Sequence, residues 1–129
     1  MNKTEIRTEN APKPAGPYSQ GIVAGDFVFV AGQRPVDPAT GIIPDDIQGQ
    51  TEQVIKNIQS ILAEHGCTLA DVVRSGAYLS DLKNFNAMNE VYSSMFPQPY
   101  PARTCIGTSL RGILVEIDVI AYKPADRNS

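Results

Sequence analysis

The sequence predicts an α+β fold in which a mixed sheet carries two helices on one face, with the element order ββαβαββ. Three observations predict it. Two apolar runs flank a Gly25-Asp26 turn signal, two longer segments repeat their apolar residues at helical spacing, and the C-terminal third is strand-like and rich in β-branched residues. Two helices are too few to cover both faces of a sheet, which assigns them to one.

The first two strands lie in Ile22 to Val30, where Ile22, Val23 and Ala24 precede the turn and Phe27, Val28, Phe29 and Val30 follow it. From Gln33 to Pro44, the turn formers Pro35, Asp37-Pro38 and Thr40-Gly41 predict a surface loop. A helix is expected from about Asp46 to His65, because Ile47, Val54, Ile55, Ile58, Ile61 and Leu62 share a face; Gly66 closes it. Val72 to Leu79 reads as a strand. Ser80 to Asn84 then offers capping side chains to a second helix, Phe85 to Phe96. Pro97, Pro99 and Pro101 end that helix and impose an extended approach to Arg103. Thr104 to Thr108 and Ile113 to Tyr122 read as a final strand pair around a turn at Leu110, Arg111 and Gly112.

Composition bounds the function. With 129 residues, 42% of them hydrophobic, the chain has the content of one compact domain spanning 1–129, large enough to fold without disulfides or a structural metal. Cys67 and Cys105 stand far apart and His65 is the sole histidine, so a zinc site would lack ligands; no metal is expected. The polar stretch from Met1 to Asn10 argues against a secretory signal and no apolar run reaches membrane-span length, so the expected location is cytoplasmic. A net charge of −3 with scattered Lys and Arg does not build the positive field that nucleic acid requires. If helices cover one sheet face, the other is either polar or covered by another subunit; Val115, Ile117 and Val119 on the last strand suggest that neither face is very polar, which favours a homo-oligomer.

The most informative local pattern is Leu114-Val115-Glu116-Ile117-Asp118-Val119-Ile120, where alternation puts Glu116 and Asp118 on one face among apolar neighbours. Arg103 begins the preceding strand. A hairpin loop of even length centred between Leu110 and Arg111 would set Cys105 opposite Glu116 and Arg103 opposite Asp118; an odd loop would put them on opposite faces. Charge pattern alone fits a register-fixing salt bridge better than catalysis. The functional alternative is a planar cationic fork for a substrate carboxylate beside an acid or base for water.

Three stretches carry a resemblance. Gly16-Pro17-Tyr18-Ser19-Gln20 with Phe29-Val30-Ala31-Gly32-Gln33 through Gly41, Tyr78-Leu79-Ser80-Asp81-Leu82 through Tyr92, and Pro101-Ala102-Arg103 through Val115-Glu116-Ile117, in this order, resemble the Rid (reactive intermediate deaminase, YjgF-type) family. That resemblance implies a chorismate-mutase-like fold and a homotrimer with three clefts between subunits. It implies hydrolysis of 2-imino acids, such as 2-iminopropanoate and 2-iminobutanoate, to 2-keto acids and ammonia without a cofactor. Arg103 matches the substrate-carboxylate arginine, and Glu116 the residue that holds and activates water. Cys105 matches the position whose backbone carbonyl orients that water, and Tyr18, Gly32 and Asn89 match positions lining the cleft.

Plainer roles exist for each: a packed aromatic for Tyr18, a strand-end bend for Gly32, a helix-surface amide for Asn89, and inert packing for the Cys105 thiol. The sequence departs from the family pattern at Ala31, where many relatives have Ser, and in the short loops Phe96–Arg103 and Leu110–Gly112. These bear on substrate preference. Rival functions are a trimeric small-ligand-binding or holdase-like protein without turnover, a ribonuclease or translation inhibitor, and mutase chemistry borrowed from the fold.

Overall fold

The computed structural model describes residues 2–124. Six strands form one mixed sheet: β1 (Lys3–Ile6), β2 (Gly21–Ala24), β3 (Phe27–Gln33), β4 (Val72–Leu79), β5 (Ala102–Gly107) and β6 (Val115–Tyr122). Their spatial order is β1-β2-β3-β6-β4-β5; β4 and β5 run parallel and the other pairs antiparallel. Helices α1 (Ile47–Ala63) and α2 (Phe85–Met95) pack on one face, as the periodicity predicts.

Helix α1 starts where Asp46 accepts a hydrogen bond from the Gly49 N–H at 2.8 Å and stops before Gly66, which takes the left-handed φ of 71° that favours glycine. Val54, Ile55, Ile58, Ile61 and Leu62 are fully buried against Val28 and Val30 of β3, Ala77 and Leu79 of β4, and Val115, Ile117, Val119 and Ala121 of β6. Two buried polar residues a double turn apart on the same helix steer loops. Asn57 Nδ2 donates to the carbonyls of Arg34 and Val36, both at 3.0 Å, and Gln50 Oε1 accepts the Leu114 N–H at 2.8 Å. The helix thus anchors both the loop leaving β3 and the entry to β6.

Two expectations are corrected. The N-terminal segment forms β1, a short edge strand whose only buried side chain is Ile6, so the order is βββαβαββ. The last two strands are not a hairpin. After the crossover through α2, β5 lies parallel to β4 at the sheet edge, and β6 inserts between β3 and β4. The intervening loop straddles the end of β4: Thr108 N–H donates to Leu79 O at 2.9 Å, and Ser80 N–H to Leu114 O at 3.0 Å.

The argument for association rests on different residues from those expected. Val115, Ile117 and Val119 point into the helix-covered core. The open face instead carries Phe27, Phe29, Tyr122 and Ile106, each more than two-fifths exposed, with the Phe27 and Tyr122 rings 5.3 Å apart.

Candidate active site

Alternation along β6 sends Glu116 and Asp118 to one face, as expected, and that face is the open one. Opposite them β3 bulges: Val30 pairs with Val119 and Gln33 with Ile117, leaving Ala31 and Gly32 against one residue. The Glu116 side chain lies across Gly32. A Cβ on Gly32 would stand 3.0 Å from Glu116 Cδ, 3.3 Å from Cγ and closer still to Oε2, so close approach rather than backbone conformation demands glycine there. Tyr18, Ala31, Arg34 and Arg111 join Gly32 and Glu116 around a pocket of about 380 Å³. Arg34 Nη2 donates to the Arg111 carbonyl at 2.8 Å, tying the β3 exit to the β5–β6 loop. The Tyr18 hydroxyl accepts the Ala15 N–H at 3.1 Å.

Burial raises the Glu116 carboxyl above the usual carboxylate range; Arg34 and Arg111 pull it back and Asp118 pushes it further up. Gly32→Ala is expected to expel this side chain from its seat. Moved toward solvent, the carboxylate should titrate nearer its ordinary range, readable by side-chain carboxyl NMR; an unchanged titration would contradict the close-approach argument.

Asp118 does not meet Arg103. It accepts the Gly76 N–H at 3.0 Å through Oδ1 and the Tyr78 hydroxyl at 3.0 Å through Oδ2. Burial, and then the bond to Asp118, raise the Tyr78 phenol, so this tyrosine stays protonated and donates.

Arg103 lies on the other side of the sheet. Its register partner is Ser75 and that of Cys105 is Ala77, both fully buried under the helices, whereas Glu116 pairs with Tyr78 on the open face. The Arg103 guanidinium packs on one stripe of α2: Cζ is 4.7 Å from the Tyr92 ring centre and 5.8 Å from that of Phe85, and Nη1 is 4.0 Å from Met88 Sδ. Asn89, Tyr92, Ser93, Tyr100 and Pro101 complete a pocket of about 260 Å³ around it. Among the described residues the ion pairs are Arg7–Glu5, Lys56–Glu52 and Lys83–Asp81, so the Arg103 fork meets no carboxylate. Burial raises the Cys105 thiol, against a smaller opposing effect of Arg103, so it is a poor nucleophile.

The six residues singled out from the sequence therefore fall into two half-sites. Tyr18, Gly32 and Glu116 share the open face, while Arg103, Asn89 and Cys105 gather at the β5 edge beside α2. A facing arrangement of Arg103 and Glu116 across a hairpin is overturned, because β4 intervenes and loop parity has no bearing on strands that do not pair. The pocket around Glu116 and the pocket around Arg103 share no lining residue. Arg34 and Arg111 join the site without a motif in the sequence to mark them; the one local signal is that Arg34 lies in the turn-rich loop Gln33 to Pro44.

Among the described residues, no cluster of three or more His, Cys, Asp or Glu is placed to hold a metal ion, and no helix is long and apolar enough to cross a membrane. Compared with known proteins, residues 8–123 match the family model described as Endoribonuclease L-PSP. A RutC family protein of Pyrococcus abyssi is 52% identical over 126 residues, covering 95% of this chain and 99% of the relative. The 2-iminobutanoate/2-iminopropanoate deaminase of Salmonella typhimurium is 36% identical over 128 residues, with 95% and 99% covered. The crystal structure of TdcF from E. coli with bound serine superposes with a TM-score of 0.89 at 35% identity, covering 93% of this chain and 98% of that one.

Proposed function

This chain belongs to the endoribonuclease L-PSP family, also called Rid, and on that premise we propose that it is a hydrolytic deaminase of 2-imino acids such as 2-iminopropanoate and 2-iminobutanoate. One observation carries the proposal: each half-site is built and incomplete. A guanidinium without a carboxylate partner lines one pocket, and a carboxylate seated over glycine lines another, on opposite faces of the same sheet. The site is therefore made between copies, with Arg103 from one and Glu116 from the next. Such a contact joins two different patches, and joints of that type form rings when the rotation between copies closes; a homotrimer is such a ring, fills three sites and leaves no half-site open. The exposed Phe27, Phe29, Ile106 and Tyr122 give the open face an apolar reason to be covered.

The chemistry follows from the groups. Arg103 takes the substrate carboxylate on its planar fork and fixes the imine carbon. Glu116, facing the protonated imine, stabilises its charge and takes a proton from water as oxygen bonds to carbon. The carbinolamine so formed receives that proton on nitrogen; its hydroxyl proton then passes to Glu116 as the C–N bond breaks, and the departing ammonia takes that proton and leaves as ammonium, so that the 2-keto acid remains with Glu116 again a carboxylate. The Cys105 backbone carbonyl orients the water, while Tyr18 and Asn89 line the walls. A cytoplasmic location belongs to the same proposal, since a short-lived imine has to be met where it is released.

Complementation tests it. Arg103→Ala and Glu116→Gln chains, each inactive alone, are unfolded together and refolded as mixed oligomers. At equal input about a quarter of the sites receive both intact residues, and activity should return to roughly that fraction of wild type. Mixed oligomers that form, as seen by native mass spectrometry, yet stay inactive would refute the shared site. Gly32→Ala, which unseats Glu116, should lower kcat by about tenfold or more.

A further inference from the structure

The pocket around Glu116 holds more positive charge than a monocarboxylic imino acid needs. Its lining contains two arginines, Arg34 and Arg111, against the single carboxylate of Glu116. Neither arginine is in an ion pair among the described residues, although both act on Glu116 through space. They are near enough to bias the carboxylate and too far to bond it. Between them lies room for something else.

Arg34 is also held in place. Buried Asn57 grips its backbone carbonyl at 3.0 Å, and its Nη2 is spent on the Arg111 carbonyl at 2.8 Å. That fixes the plane of the guanidinium and leaves its other N–H groups for a ligand. Arg34 lines the same pocket as Glu116, so a substrate whose imine is held at Glu116 has this guanidinium in the cavity that receives the rest of it.

We infer that this site prefers 2-imino acids whose side chain ends in a carboxylate, and that Arg34 is the residue that holds this second carboxylate. The inference rests on the deaminase reading for its chemistry, but its recognition element is testable by binding alone. The Arg34 fork accepts the side-chain carboxylate, and Arg111, exposed on the β5–β6 loop, adds to the attraction without a fixed contact. In a protein of net charge −3, a local pair of cations also draws a doubly charged anion to this opening in preference to the rest of the surface.

The test uses the stable keto-acid products. 2-Oxoglutarate and 2-oxovalerate have equally long chains and differ in carrying a carboxylate or a methyl at the far end. Calorimetric titration of the intact oligomer should find 2-oxoglutarate bound about tenfold or more tightly. Arg34→Gln should bring the two within about twofold, and Arg34→Glu should reverse their order. Circular dichroism and elution volume verify that each variant is folded and assembled. Equal affinities in the wild type, or a preference that survives Arg34→Gln, would overturn the inference. In parallel, the corresponding imines are generated in situ by an amino-acid oxidase and their decay followed. If the binding preference holds and neither imine decays faster than without protein, the deaminase reading fails and the dicarboxylate site stands. If the imines are hydrolysed while the two keto acids bind alike, the site fails and the deaminase stands.

Discussion

Arg103→Ala is expected to lower kcat/KM for 2-iminopropanoate by roughly 10²–10³-fold, the consequence of removing the charged anchor of the substrate carboxylate. In an assay coupled to a serine or threonine dehydratase, this appears as keto-acid release no faster than without the protein. The structure makes the variant informative. Arg103 lies on the faces of Tyr92 and Phe85 and against Met88, so truncation also loosens α2 on the β5 edge. Arg103→Met separates the two roles, because it keeps apolar packing on that stripe and removes the fork. If Arg103→Met hydrolyses imine at the wild-type rate, Arg103 is a structural clamp and the proposed mechanism is wrong.

Glu116→Gln is expected to lower kcat by about 10²–10⁴-fold while the keto acid still binds, because the amide keeps the shape and cannot accept the proton from water. Burial raises the Glu116 carboxyl, so wild-type kcat should fall on acidification at a higher pH than an ordinary carboxylate would give. The same shift makes a stability prediction of opposite sense. A carboxyl whose folded pKa is raised contributes stability in its protonated form, fully present below the ordinary carboxylate range and lost as pH rises through the folded value. At neutral pH the ionised, partly buried Glu116 therefore costs stability. Glu116→Gln should melt at a higher temperature than wild type there and lose the advantage in acid. A Tm gain at pH 7 together with lost turnover marks a group held for chemistry; a Tm loss would mean that Glu116 serves the fold.

How much of this was legible in the sequence depended on whether the signal was local. Helix α1 is written in the spacing of Val54, Ile55, Ile58, Ile61 and Leu62, and strand β4 has the bounds its residues suggest. The alternation in β6 correctly put Glu116 and Asp118 on one face, since a period of two survives any partner arrangement. Strand β1 escaped because Lys3, Thr4 and Glu5 bury nothing and only Ile6 reaches the core. The pairing of β5 escaped for a deeper reason. Proximity in sequence makes Thr104 and Val115 look like two arms of a hairpin, whereas β5 is claimed by β4 across the α2 crossover. That single misassignment set Arg103 and Glu116 on facing strands of one chain. Arg34 and Arg111 stand far apart in the chain, and only the fold brings the Arg34 side chain to the Arg111 carbonyl.

The position of β6 has a consequence for how the molecule comes into being. Among the described residues, the last strand in chain order, β6, occupies the middle of the sheet, between β3 and β4. Until it arrives, a nascent chain holds two separate ribbons, β1-β2-β3 and β4-β5, each with an unsatisfied edge and with no Glu116 to face Gly32. Closure depends on pairing β6 with β3 as well as β4, a long-range event that sets a slow, late step and leaves those edges open to wrong partners meanwhile. Glu116 therefore enters with the keystone of the sheet, so a chain that stops short of β6 lacks both the closed sheet and the carboxylate over Gly32.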